Sequence, residues 1–362
     1  MSHFKMNRRK LLTTATSAGG LALASGMIGT PLIAQTRSLR VASYGGYFEN
    51  SFKDHVFPAF TAATGIEVES VTQPNSADWL VTMQQATAAG SVPTDLSLYA
   101  RDTMIKASRL GDLIAPLDMD AIPDAANLDG YFIFEDGTGP IGVGALSWFS
   151  AMVINPDEVT APESWAEFWD SSVYESSLGM SKNFNSQLLD IIAATFFDGE
   201  ETFATDEGIV ALIEKAAELK PNVALWWTAE SQMEQSMKNG DVIGGQYYHD
   251  VAQLMAADGF AIRSIFPKEG NPQDYGSWCL SSLSEKSEEA AEFINFTSQP
   301  STQALMSRMI GTAPLVDVSV TDLTEEEFGS VSGSPVIRPA YEAYLDKETF
   351  IKESWDRMLA GA

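Results

Sequence analysis

The chain has 362 residues, with 22 Lys plus Arg against 49 Asp plus Glu and a formal net charge of −27. That balance excludes a general nucleic-acid binder, because phosphates would be repelled over most of the surface. Three histidines (His3, His55, His249) and the lone Cys279 leave little material for a zinc site or a disulfide framework, while 45% hydrophobic content fills about two domain cores.

Residues 1–35 invert the charge of the rest: Lys5, Arg8, Arg9 and Lys10 are present and no acid is. The adjacent arginines precede a small and apolar run to about Ile33, dotted with glycines and broken by Pro31, and then Ala34-Gln35. This is the layout of an export signal of twin-arginine type rather than of a membrane anchor, which needs about 20 strongly apolar residues. Its removal leaves a mature chain of net charge −31.

The mature chain opens with a short apolar strand, Leu39-Arg-Val-Ala-Ser-Tyr, followed by Gly45-Gly-Tyr. Phe52, Val56, Phe57 and Phe60 then predict a helix over 48–64 with Gly65 as its stop. Gly65-Ile-Glu-Val-Glu-Ser-Val alternates as a half-buried strand does. A helix over 77–89, a strand over 95–99 and a helix over 103–110 complete a βαβα rhythm, which argues for an α/β class with a parallel or mixed sheet. A second α/β block begins at Ala151-Met-Val-Ile-Asn, with helices expected over 164–169, 186–197, 206–219 and 230–238 and a strand over 241–247. Leu280 to Leu283 return towards the first block, and helices over 287–297 and 301–309 follow.

One set of segments is specific: Met237-Lys-Asn-Gly-Asp-Val-Ile-Gly-Gly, Ile265-Phe-Pro-Lys-Glu-Gly, Lys286-Ser-Glu-Glu-Ala-Ala-Glu-Phe-Ile-Asn-Phe and Ile310-Gly-Thr-Ala-Pro. With Phe60-Thr-Ala-Ala-Thr-Gly-Ile-Glu-Val and Ser164-Trp-Ala-Glu-Phe-Trp, the chain resembles the extracellular solute-binding proteins of ABC importers over most of residues 39–320, in particular the spermidine/putrescine-binding type. The resemblance implies a type II-like periplasmic-binding fold: two α/β lobes, each a mixed sheet flanked by helices, with the ligand in the cleft between them. It places residues 36–149 and 279–320 in the first lobe and 150–278 and 321–362 in the second. It implies a non-enzymatic, monomeric, periplasmic carrier without cofactor or metal, whose partners are a small-molecule ligand and an inner-membrane permease.

In the resembled family, aromatic rings stack on the ligand's ammonium groups and carboxylates pair with them. By that likeness Tyr44, Tyr47 and Tyr248 are the ring positions, with Tyr247 and Asp250 nearby. Asp274 and Trp278, both displaced from the family pattern, supply one carboxylate and one ring. The family's acidic pair is replaced by Lys182, Asn183 and Ser186, and a ring position near the final Ile-Gly turn by Thr312; Arg101 adds a second candidate cation. Two cations beside one acid favour a ligand with an anionic end, so a zwitterion stands beside a polyamine.

Bland readings accompany these. Trp165 and Trp169, four apart on one helix face, are expected to pack, and Trp226-Trp227 are more readily packing than ligand rings. A ferric-ion carrier using Tyr247 and Tyr248 is the alternative within binding proteins, since phenolates suit a hard cation. A secreted enzyme is the alternative outside it, although no Gly-x-Ser-x-Gly elbow, phosphate loop or His pair occurs.

Overall fold

The computed structural model describes residues 37–74 and 76–361, so the expected export segment lies outside the described residues. Among the described residues, twelve strands occur in chain order: β1 (Ser38–Tyr44), β2 (Glu67–Gln73), β3 (Leu96–Ala100), β4 (Ile114–Ala115), β5 (Ile133–Asp136), β6 (Gly139–Ile154), β7 (Leu178–Ser181), β8 (Val223–Trp227), β9 (Gly244–Tyr248), β10 (Arg263–Ile265), β11 (Asn271–Ser281) and β12 (Val336–Ile337). The main order is β2-β1-β3-β11-β6-β9-β7-β8. β1 is parallel to β2 and β3, and β7 is parallel to β8 and β9. The long central strands β6 and β11 run antiparallel to each other, to β3 on one side and to β9 on the other. They carry the chain from one half of the molecule to the other, and the mixed α/β class follows as expected.

Each half has its own core. In lobe 1, Leu39, Val41, Leu96 and Leu98 from the strands pack beneath Phe52, Phe57, Phe60 and Phe293 from the helices. In lobe 2, Met152, Leu178 and Met180 pack beneath Leu188, Ile192, Leu212 and Trp355. The helical run predicted after β1 is continuous over 47–64, with one π-turn at Phe52–Val56 and Gly65 ending it in the left-handed conformation at φ 75°. The C-terminal helices Tyr341–Asp346 and Glu348–Ala360 bury Tyr344, Ile351 and Trp355 in the lobe 2 core.

Two strands differ from the sequence reading. β6 is 16 residues long, whereas only its end at Ala151 was expected. It is buried on both faces along most of its length, so period-2 alternation is absent, and Gly142 and Gly144 interrupt the apolar run. Gly144 is the more constrained of the two: a Cβ there would lie 2.6 Å from Leu315 and 2.8 Å from Phe132 Cβ, whereas one at Gly142 would crowd chiefly the flexible Met104 thioether. Trp226 and Trp227 lie on β8, not merely ahead of a helix; Trp226 stacks edge-on with Trp355 at 5.8 Å and Trp227 is buried.

Candidate functional site

Strands β1, β3, β7 and β9 each end where the two lobes meet, and β11 crosses beside them. Parallel strands expose their carboxyl ends at such a crevice, where the following loops and helices begin. Tyr44 is the last residue of β1, and the Gly45-Gly46 turn after it needs glycine twice. Gly46 has φ 80°, and a Cβ on Gly45 would lie 2.8 Å from Thr72. The Tyr44 hydroxyl is held by the Ala100 N–H at 3.2 Å and by Ser76 Oγ at 3.3 Å. Burial raises its pKa to about 12, so it stays a neutral donor. Tyr47 begins the helix that follows; its side chain is outside the described set.

Asp274 lies in the middle of this region, on β11 opposite Trp148 of β6. One of its oxygens accepts the Tyr275 N–H at 2.8 Å, and the Tyr341 hydroxyl is a further hydrogen-bond partner. Burial pushes its carboxyl up to about 7, against those hydrogen bonds and the charge of Arg101, which favour the ionised form. The phenols of Tyr44, Tyr131, Tyr248 and Tyr341 are all raised, first by burial and further by the charge of Asp274. With Tyr275, five tyrosines thus lie within electrostatic reach of one carboxylate. Beside it is a cavity of about 80 Å³, lined by Asp274, Asp102, Gln187, Tyr341 and Asp190 among others. Gln187 has φ 63°, a left-handed conformation unusual for a residue with a side chain, and its Nε2 donates to the Tyr341 hydroxyl at 3.5 Å.

The remaining expected residues divide. Arg101 reaches this region but is fully engaged: it donates to the Tyr275 hydroxyl at 2.6 Å and to Glu342 at 2.9 Å, and its guanidinium stacks 4.3 Å from the Phe134 ring. It serves as an internal counter-ion and is not a free ligand cation. Lys182 and Asn183 are exposed beyond β7 and do not line the cavity; Phe184, Asn185 and Gln187 do so instead. Ser186 is drawn inward, its carbonyl accepting from Gln246 at 2.5 Å. Asp250 is half-buried, with one carboxylate oxygen lacking a partner among the described residues and its pKa raised to about 6 by burial.

Two expectations are corrected. Trp278 is wholly buried in the lobe 1 core, 5.6 Å from the Phe52 ring and 5.2 Å from Phe293. Tyr247 points into a separate lobe 2 core with Trp227, and its hydroxyl donates to the Glu230 carbonyl at 3.2 Å. The two rings lie 5.9 Å apart beside Trp227, but the Tyr247 hydroxyl is taken up by the Glu230 carbonyl, so the pair does not present two open phenols. Burial also raises both phenols, which opposes the phenolates that ferric iron requires. Trp165 and Trp169 pack as expected, donating to the carbonyls of Gly270 and Lys215 at 2.9 and 3.0 Å. Sequence reasoning missed Trp148, Tyr131, Gln187 and Tyr341. Tyr341 lies in the tail beyond the resemblance, and nothing in its local sequence marks it.

Asp190 forms the other acidic wall. It accepts the Ala340 N–H at 2.8 Å, its second oxygen has no close hydrogen-bond partner among the described residues, and burial raises its pKa to about 7, against the Ala340 N–H and the nearby Tyr344 hydroxyl. A folded-state pKa above the unfolded value of about 3.9 means that the folded chain binds more protons between pH 4 and 7, so stability falls as pH rises through that window. Asp190→Asn, which keeps the acceptor, is expected to gain stability relative to the native chain as pH rises from 4 to 8. Urea titrations across that range check it; a difference independent of pH would refute the assignment.

A family description, bacterial extracellular solute-binding protein, matches residues 56–328. A gamma-aminobutyric acid-binding protein of Pseudomonas aeruginosa is 26% identical over 287 residues, covering 78% of either chain. Among solved structures, an ABC transporter substrate-binding protein from Bradyrhizobium japonicum superposes with a TM-score of 0.76 at 18% identity, covering 89% of this chain and 99% of that one. A spermidine/putrescine ABC transporter substrate-binding protein from Streptococcus pneumoniae gives 0.72 at 18% identity, with 89% and 99% covered. These structural likenesses carry the two-lobe fold.

Proposed function

The chain belongs to the bacterial extracellular solute-binding proteins, the substrate-binding components of ABC transporters, and from that premise we propose that it captures a small amine-bearing zwitterion of the gamma-aminobutyrate type. The observation that carries this reading is Asp274, a half-buried carboxylate with tyrosines around it. An ammonium group placed there would gain a charge-assisted hydrogen bond and cation–π attraction from Tyr44 and Tyr248. The cavity beside it carries further acids, Asp102 and Asp190, so the choice of a zwitterion over a diamine rests on the relative and not on the number of carboxylates. The name of the Pseudomonas relative supports the same class.

The mechanism is lobe closure. Ligand first meets the rings of one lobe, the second lobe adds its contacts, and the closed form is the one a membrane permease recognises, because only differential affinity can shift the equilibrium. The lobes would divide at the β6 and β11 crossings, near residues 149 and 279, with the tail on lobe 2. The exported product would act in the periplasm as a monomer. Calorimetry with gamma-aminobutyrate, putrescine and spermidine tests the reading, with the zwitterion expected to bind most tightly. Tyr44→Ala and Tyr248→Ala are each expected to weaken it by about 1–3 kcal/mol through lost ring contact. Tighter binding of putrescine, or unchanged affinity in both variants, would overturn it.

A further inference from the structure

Residues 338–348 leave the lobe 2 core and reach lobe 1. Ile337, Ala340, Tyr344 and Ile351 anchor the segment among the apolar residues of lobe 2. Four of its five charged residues pair with the opposite lobe, while Lys347 pairs with Asp206 of lobe 2 at 2.5 Å. Arg338 meets Asp129 at 3.2 Å and stacks 4.2 Å from the Tyr131 ring. Glu342 meets Arg101 at 2.9 Å, Asp346 meets Arg109 at 2.7 Å and Glu348 meets Lys106 at 2.8 Å. The last three partners all lie on the lobe 1 helix Arg101–Leu110. In a chain of net charge −27, three of this segment's acids thus face three of its 22 Lys and Arg residues, all from a single helix.

Between these pairs lies Tyr341, buried, with its hydroxyl on Asp274 and Gln187. With the Tyr275 N–H and the Tyr341 hydroxyl in place, Asp274 has acceptor capacity left for a ligand, and the Tyr341 ring stands on one side of it as part of the cavity wall. We propose that residues 338–348 form an ionic clasp across the cleft, and that Tyr341, seated on Asp274 by that clasp, is the specificity-determining residue that limits the ligand to one short amine arm. The proposal rests on the amine reading given above and assigns the control of length and closure to this segment.

Two consequences separate the clasp from ordinary surface charge. First, lobe opening breaks its pairs together, so the closed state is favoured at low salt and loses that advantage as screening shortens to a few ångströms near 1 M. Second, shortening residue 341 opens the end of the cavity and removes one hydrogen bond from Asp274, while the carboxylate and the Tyr275 N–H remain in place.

The test uses the mature chain, with gamma-aminobutyrate and putrescine as probes in calorimetry at low and high salt. Glu342→Gln/Asp346→Asn/Glu348→Gln, all at exposed or half-buried positions, is expected to weaken gamma-aminobutyrate binding about tenfold at low salt and to match the native chain at about 1 M. Tyr341→Ala is expected to raise the ratio of putrescine to gamma-aminobutyrate affinity at least about tenfold. Should Tyr341→Ala fail to fold, the triple variant still decides the clasp. Native binding of gamma-aminobutyrate with an unchanged salt slope in the triple variant, or an unchanged ratio in folded Tyr341→Ala, overturns this proposal alone. Absence of binding of either probe to the native chain overturns it together with the amine reading.

Discussion

Asp274→Asn is expected to abolish useful capture of an amine ligand, weakening it by about 3–5 kcal/mol, or about a hundredfold to several thousandfold. The size follows from the site: the carboxylate is half-buried among tyrosines and largely desolvated, so an ammonium drawn to it leaves most of its water as well, and an amide cannot repay that desolvation. The neighbouring tyrosines would remain, and their contribution alone is of the order of 1–3 kcal/mol each. Truncating rings therefore grades the affinity, whereas neutralising Asp274 removes the reason for the ligand to enter.

The same residue sets a pH signature. Its carboxyl is held up to about 7 by burial, so a substantial fraction is protonated in neutral solution before ligand arrives. Only the ionised form pairs with an ammonium. Binding therefore releases protons below about pH 7, and affinity falls as pH is lowered from 7 to 5, by at most tenfold per unit for one proton. Calorimetry in two buffers of different ionisation enthalpy measures this release directly. In Asp274→Asn the release should vanish, while Asp190→Asn, which perturbs stability from outside the ammonium position, should retain it. A native chain with pH-independent affinity between 5 and 7 would place the ligand's charge elsewhere.

What the sequence made legible is local. Tyr44 and Tyr248 end strands whose apolar residues and following turns are visible over a few positions, so their place at a strand end could be read directly. Asp274 was found through the nearby Pro-Lys-Glu-Gly segment. The residues that complete the site come from elsewhere: Trp148 from the interior of a strand buried on both faces, Gln187 from a turn whose strained backbone has no compositional mark, and Tyr341 from a tail 67 residues beyond Asp274. Contacts at such separation depend on the path of β6 and β11 between lobes, and no periodicity encodes that path. Lys182 illustrates the converse. Its position in the chain matched a family site, yet it lies exposed while its neighbours at 184, 185 and 187 line the cavity.

Trp278→Ala should separate core from cleft most clearly, because it stands four residues after Asp274 on the same strand. Residues four apart share a face of a strand, which is why both suggested ligand contact. At about 3.3 Å per residue, however, the second lies about 13 Å further along, beneath the lobe 1 helices and no longer at the crevice. There Trp278 is fully buried between Phe52 and Phe293. Its truncation is expected to cost about 3–5 kcal/mol of folding stability by leaving a large cavity. Affinity per folded molecule should change little, since the strand's hydrogen bonds to β3 and β6 still fix Asp274. Denaturant unfolding and calorimetry on the folded fraction give the two numbers separately. Lost affinity without lost stability would return Trp278 to the ligand site; the opposite pattern, set beside Tyr44→Ala, would show that one short stretch of β11 serves binding at one end and the core at the other.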